Sequence, residues 1–581
     1  MNRFRIRAGI GACRISKNII RITMENGKNR NGRPTTFGSN VGSTRAHAAR
    51  ARTRRMLASG VAGMLGWAVP DAYAQRGFDE PSATGSNASA ADTSVIATAT
   101  RARAPGHDSF ATGARALAAG VNSAALGTGA WAAGDGSLAV GVAAAAHHDD
   151  GVAIGAGAQA KGEQSMAAGT LATARSSSST AVGVLSSATG AASTALGADA
   201  SAFGDGSVAL GSGASAIEFD AIAIGVAAQA SADQGTALGA HANAAGIDGT
   251  AVGAQAAATG AGSTAFGAEA SASGDGALAV GSGASAAQFD SIAIGMAANA
   301  AADRGTAVGA HANASGMDGA AVGVSARAAG VGAAAFGADA AAAGAASLAL
   351  GQSAVAATDR SVAVGAGAHA TAVNGVAAGA GARADGVGST ALGAGARASA
   401  DSGVALGARA QAHGSRSIAL GGDAAAGGDA AASLGSGASA AGVQSVALGA
   451  HAVASGANAV ALGHGAIVDR DDTVSIGAPG RERKLAHVAD GVLPSDAVNL
   501  RQLHAVARRA YGGVAAATAL SMIPDADVGR TVALGIGTGG YMGYQAVALG
   551  ASMRIGANLK LRAGASLNAA TTWGAGASYN W

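Results

Sequence analysis

His241, His311 and His451 each stand two residues after a glycine in similar surroundings, so several copies of the chain could bring equivalent imidazoles into a ring around a metal ion. Metal sites need several ligands of set geometry, and no Cys, Asp or Glu accompanies the three histidines at a constant spacing. They read as solvated surface side chains. Gly134-Asp135-Gly136, Gly204-Asp205-Gly206 and Gly274-Asp275-Gly276 could belong to calcium-binding loops, but the nonapeptide spacing of such loops is missing and Asp-Gly is a common turn pair. Phosphate-cradling glycine strings arise by chance at this glycine content, and none opens a helix after a strand. No nucleophile, base and orienting group assemble into an active site. The expectation is a protein that is not an enzyme and uses no metal or cofactor.

What positions these residues is a period. From Gly113 to Gly477 a glycine recurs at every fourteenth position without insertion, 27 glycines in register. Alanine stands two residues before 25 of them, the exceptions being Ser433 and Ser475, and an apolar residue stands one before in every case but Thr112. The residue three before is usually Val, Ile, Leu or Thr, as at Val152, Ile222, Thr264 and Val446. Alternate residues of a strand share a face, so Val362-Ala363-Val364 is apolar on both sides and is expected to be buried on both. After each glycine, small residues such as Ala242 and Ala244 flank a variable polar one, Asn243, which predicts a second short strand with one wet face.

Two short strands and two turns within each fourteen-residue period make one coil of a β-solenoid, with glycine supplying conformations that a Cβ forbids. At about 4.8 Å per coil, the stack should form a rod on the order of 130 Å long. Coils this thin bury little apiece, so the doubly apolar strand is expected to pack against other copies of the chain. Phe219 to Gly225 recurs almost unchanged as Phe289 to Gly295, a shift of five coils, which points to growth by duplication of whole coils.

Whole-chain composition mixes two segments. Only 3% of residues are aromatic and 13% charged, against about 25% charged in ordinary globular domains, which excludes an aromatic-rich core. Residues 1–74 hold 14 Lys or Arg against Glu25 and Asp71, and also Cys13, the one cysteine. The remainder has 24 basic against 33 acidic residues, which disfavours nucleic-acid binding. Arg45 to Arg55 precede an apolar run, Met56 to Val69, and then Ala72-Tyr73-Ala74, the layout of a secretory signal peptide. Cleavage is expected after Ala74. The run is shorter than the roughly 20 residues that span a bilayer as a helix.

Past Gly477 the period stops. Arg481-Glu482-Arg483-Lys484 forms a charged collar, and Ser495-Asp496 is expected to cap a helix from Ala497 to about Leu520. Four extended runs follow, at 529–537, 541–555, 557–568 and 571–581. Each is long enough to cross a bilayer when tilted. Alternation puts Val547, Leu549, Leu559, Leu561, Trp573, Tyr579 and Trp581 on the expected lipid face. Four strands cannot close a barrel in lipid, whereas three chains supply twelve.

The chain resembles the trimeric autotransporter adhesins, the YadA-like family. Coils such as Ser445-Val446-Ala447-Leu448-Gly449 are similar to that family's head repeat. Arg483 to Gly491, followed by Asp496 to Leu503, resembles its neck, whose candidate residues here are His487, Asp490, Asp496, Asn499, Gln502 and Leu503. The resemblance implies an all-β architecture: a left-handed parallel β-roll head in each of three chains, a neck and short coiled coil, and a twelve-stranded transmembrane barrel. The expected layout is leader and signal peptide 1–74, linker 75–109, head 110–477, neck 478–503, coiled-coil or pore helix 504–520 and anchor 521–581. It also implies a homotrimer, inserted into the outer membrane by the barrel assembly machinery after export through the periplasm. Its surface head would bind host extracellular matrix or cell-surface proteins, collagen among them. In the family the third residue after the register glycine is often Ser; here it is usually Ala, as at Ala228, which bears on collagen. The alternative is a structural protein of autoaggregation and biofilm without a host ligand.

Overall fold

The computed structural model describes residues 82–91, 94–567 and 571–581. The leader and signal peptide expected over 1–74 lie outside the described residues. From Ser82 to Ser475 the chain forms two ladders of short parallel strands, 29 in one and 28 in the other. Each coil contributes a three-residue strand, such as Val208–Leu210, and a two-residue strand, such as Ser215–Ala216. Every strand pairs with its equivalent one coil away, Val208 opposite Ile222 and Ser215 opposite Gln229.

The interior of the coils is almost entirely alanine. Ala223, Ala228 and Ala230 each have 0% exposure, and among the described residues the only larger apolar side chains in the head core are Val95 and Val468. Facing strands in so short a loop leave room for a methyl group and little more. Alanine also loses no rotamer freedom on burial. Buried serines close the second turn: Ser165 Oγ donates to Gly162 O at 2.6 Å and Ser445 Oγ to Gly442 O at 2.7 Å.

The period of glycine has a definite cause. Gly225 has φ +137°, and a Cβ there would lie 2.3 Å from the carbonyl oxygen of Gly239 in the next coil. Two further positions per coil take the left-handed conformation, as Ala227 (φ 53°) and Gln234 (φ 55°) do. His241 and His311, both at φ 58°, and His451 at φ 54° occupy the first of these. Histidine, with Asn and Asp, is enriched there among non-glycine residues, so a turn conformation accounts for the three recurring imidazoles.

Two boundaries differ from expectation. The segment read as a linker over 75–109 contains coils from Ser82 onward, with strands at Ser82–Thr84, Ser89–Ala90, Ile96–Thr98 and Arg103–Ala104. Ala99 hides them, because it stands in the glycine place at φ 102° and interrupts the period between Gly85 and Gly113. The helix runs Leu500–Ser521 and is capped by Asn499, not by Ser495-Asp496, so it begins three residues after the expected Ala497 and takes in the end of the segment assigned to the neck, 478–503.

The last element is a four-stranded antiparallel sheet, Val532–Tyr541, Tyr544–Ile555, Leu559–Leu567 and Thr572–Tyr579. Its first turn is Met542-Gly543, both with positive φ, 48° and 83°. This is a two-residue hairpin connection of the kind that matches strand twist. The expected break at 538–540 is instead strand.

Replacing Gly225 by Ala should destabilise the head by about 1–3 kcal/mol, the usual range for a strained backbone position, whereas Ala99→Gly should relieve strain and raise stability. Thermal midpoints of the β-sheet signal in the two variants check both; equal midpoints would remove the steric account of the period.

Candidate functional site

The anchor is built from a glycine-floored sheet and the helix laid on it. Ala515, Ala516, Ala519 and Ile523 pack against Ala546 and Ala548. Approach is so close that a Cβ at Gly537 would lie 2.0 Å from Ala519 O. The sheet's other face carries the large apolar side chains. Antiparallel register aligns Leu549 with Ile536 and Ala565, Met553 with Leu561, and Leu559 with Tyr579. Val547, Leu549, Leu559, Leu561, Trp573 and Tyr579 therefore share the face turned away from the helix. Leu549 is 54% and Trp573 78% exposed in the single chain. Trp581 follows the last strand and is fully exposed.

Arg562, which sequence reasoning passed over, sits on the helix side of the sheet. Its Nη2 donates to the carbonyls of Leu520, Ser521 (2.8 Å) and Ile523. The last carbonyls of a helix lack internal partners and carry partial negative charge, and the helix has no basic residue in its own last turn. Lys560, two residues earlier on the same face, donates to Asp525 Oδ2 at 2.7 Å. Their signal was available: Lys560 and Arg562 alternate with Leu559 and Leu561, so one strand has a charged side and an apolar side.

Three of the six neck candidates, Asp490, Asn499 and Gln502, form a hydrogen-bonded knot. Asn499 Oδ1 accepts from Gln502 N (3.0 Å), and Gln502 Oε1 accepts from Asn499 N (3.3 Å) and Gly491 N (3.0 Å). That reciprocal pair is a capping box. Asn499 Nδ2 donates to Val488 O at 3.0 Å and Asp490 Oδ1 at 2.6 Å, and Arg501 Nη2 also donates to Asp490 Oδ1, at 2.7 Å. Asp496 Oδ2 accepts from Val492 N and Leu493 N, both 2.8 Å, so it closes a turn ahead of the helix. The Arg501 guanidinium and the Asn499 amide hold the Asp490 carboxyl below the usual carboxylate range. His487, at φ 62°, and Leu503 lie exposed, outside the knot.

On the head, the aspartates of the Gly-Asp-Gly segments clamp neighbouring coils. Asp135 Oδ1 accepts from Val121 N (2.8 Å), Asp205 Oδ1 from Ala191 N (2.7 Å) and Asp275 Oδ1 from Ala261 N (2.9 Å). Among the described residues no three His, Cys, Asp or Glu side chains converge as a metal site would require. The three-residue strand keeps its alanine inside and turns its neighbours outward, and these form an apolar row left open in the single chain: Leu210, Leu238 and Phe266, the last 55% exposed.

Residues 524–581 match the YadA-like membrane anchor domain, and 484–521 match the coiled stalk of trimeric autotransporter adhesins. The YadA head domain repeat matches a series of segments between 104 and 478 that together cover more than half of the chain. The chain belongs to the trimeric autotransporter adhesins. Among solved structures it is similar to the collagen-binding domain of the Yersinia adhesin YadA, at 25% identity over 36% of this chain and 86% of that one, with a TM-score of 0.16. The adhesin is a non-enzymatic homotrimer, held in the outer membrane by its anchor with the head displayed on the surface.

Two consequences are measurable. Replacing Arg562 by Met leaves helix carbonyls without a charged donor and should cost about 1.5–3 kcal/mol, the range for hydrogen bonds to charged groups; a lower melting temperature of the detergent-extracted trimer reports it. Because the folded Asp490 carboxyl is depressed, its stabilisation is present above the unfolded value near 3.9 and is lost as pH falls below it. The helix signal should therefore melt earlier under acid than at neutral pH, and Asp490→Asn should shrink that difference.

Proposed function

We propose that this adhesin displays its head to bind host extracellular matrix or host cell surfaces through many weak contacts along three copies of the rod. The observation that carries the reading is the division of each coil into an apolar outer row and a variable polar one. Rows such as Leu210 and Phe266 would be covered where three chains meet. The polar row, Asn243, Gln229 and Ser215 among its members, would stay outside, repeated at every coil. Contacts that are individually weak become strong when many engage at once.

Ala228, at the place where relatives often carry Ser, is fully buried. The difference therefore falls in the interior and leaves the outer surface as it is, so it does not argue against collagen as a ligand.

The sheet's first and fourth strands have open edges, and an open edge is not tolerated in lipid. Three copies closing edge to edge would give a twelve-stranded barrel with Val547, Leu549, Leu559, Leu561, Trp573, Tyr579 and Trp581 facing the bilayer. Trp581, an exposed aromatic just past the last strand, would be a contact for the barrel assembly machinery. Export to the periplasm would use the signal peptide before Gln75.

Bacteria displaying the protein, set on purified collagen and other matrix proteins and separately left to settle, test the reading. Adherence to at least one matrix protein is expected. Clumping without any adherence would replace it with autoaggregation.

A further inference from the structure

The head's polar face is not uniform along its length. Trp131 occupies the outward place of a two-residue strand, with Leu117 before it and Ala145 after it in the ladder. The residues two further along each coil form a parallel column on the same face. There His147, Lys161 and Arg175 follow one another in successive coils.

Trp131 is 42% exposed, and its ring meets His147 edge-on, with centroids 4.8 Å apart and planes at 73°. That contact fixes the indole at an angle that such pairs prefer. The methyl of Ala145 is too small to cover it. Burial, and secondarily Lys161, hold His147 less basic than a free imidazole. Lys161 and Arg175 are in no ion pair among the described residues. The adjoining Asp135 and Asp149 are engaged by backbone N–H groups of the preceding coils.

We infer that this platform binds a linear anionic polysaccharide. A pyranose lays its apolar C–H face on Trp131, and sulfate or carboxylate groups of the following sugars meet Lys161 and Arg175. The coil rise of about 4.8 Å is close to the length of one sugar unit, so a saccharide chain lying along the solenoid keeps step with the column. A nucleic acid fits less well: outside the leader the chain carries 33 acids against 24 bases, which repels a continuous phosphate backbone. The inference rests on the adhesin reading and names a ligand class for it. Three chains present three platforms, so modest single contacts add.

Detergent-extracted full-length trimer is passed over surfaces bearing heparin, hyaluronate, neutral dextran or duplex DNA. Retention on heparin, on hyaluronate or on both is expected, with little on dextran or DNA; heparin alone assigns the anion as sulfate, and hyaluronate assigns carboxylate. Trp131→Ala and the pair Lys161→Gln with Arg175→Gln should each weaken retention at least tenfold, while Trp131→Tyr keeps most of it. Arg383→Gln with Arg397→Gln removes the same charge from exposed, directly paired positions elsewhere on that face and should change little. Equal losses from the two double variants, DNA held as strongly as heparin, or no retention on either polysaccharide overturns the inference. Adherence of whole cells to deglycosylated matrix protein is measured alongside. Adherence kept without polysaccharide binding sinks the platform alone, and loss of both sinks the adhesin reading as well.

Discussion

In the head, each coil takes its backbone hydrogen bonds from the coils immediately before and after it: Ile222 N–H donates to Gly235 O and Gly225 N–H to Leu210 O, both at 2.8 Å. Buried backbone groups must be paired, so equivalent residues have to lie directly over one another, and that single requirement selects the sequence. Where neighbouring backbones come closest, only glycine fits. Where the chain turns, two positions per coil accept residues that tolerate the left-handed region. Where the strands face each other, the side chain is a methyl group. The outward places alone are free of these demands, and the chemical variety of the head is concentrated there.

A single chain leaves three things unfinished: an apolar row along the coils, an open sheet in the anchor, and exposed apolar residues on the helix, Leu503 and Val506 among them. In the trimer proposed above all three would be completed by the same event, the meeting of three copies, and stability would then belong to the assembly and not to one chain. Head coils touch only their neighbours, so their energies sum along the stack. In the anchor, the helix is held by close packing against glycines and by one arginine at its end.

The head and the four membrane strands were legible because both announce themselves by period, fourteen in one and two in the other. The features that escaped were local exceptions to a period. Ala99 occupies a glycine's place and so concealed the coils before it. Asn499 caps the helix where Ser495-Asp496 had the right residue types, because the partner that completes the cap, Gln502, stands three residues beyond Asn499. Thr538-Gly539-Gly540 has the composition of a turn, yet the helix lies against Gly539 and needs it small, while Met542-Gly543 makes the bend. Trp131 and His147 were passed over, because their pairing follows a diagonal between coils that becomes evident only when the stack is built.

A coil lined by alanine has no side-chain rotamers to freeze, and its partners are always the residues just laid down. Folding of such a stack needs no distant part of the chain to arrive and extends from an existing end one coil at a time. The same locality lets the rod be lengthened or shortened by whole coils, because adding or losing one changes the contacts of its two neighbours and of no other coil, and no new core has to be found for each length.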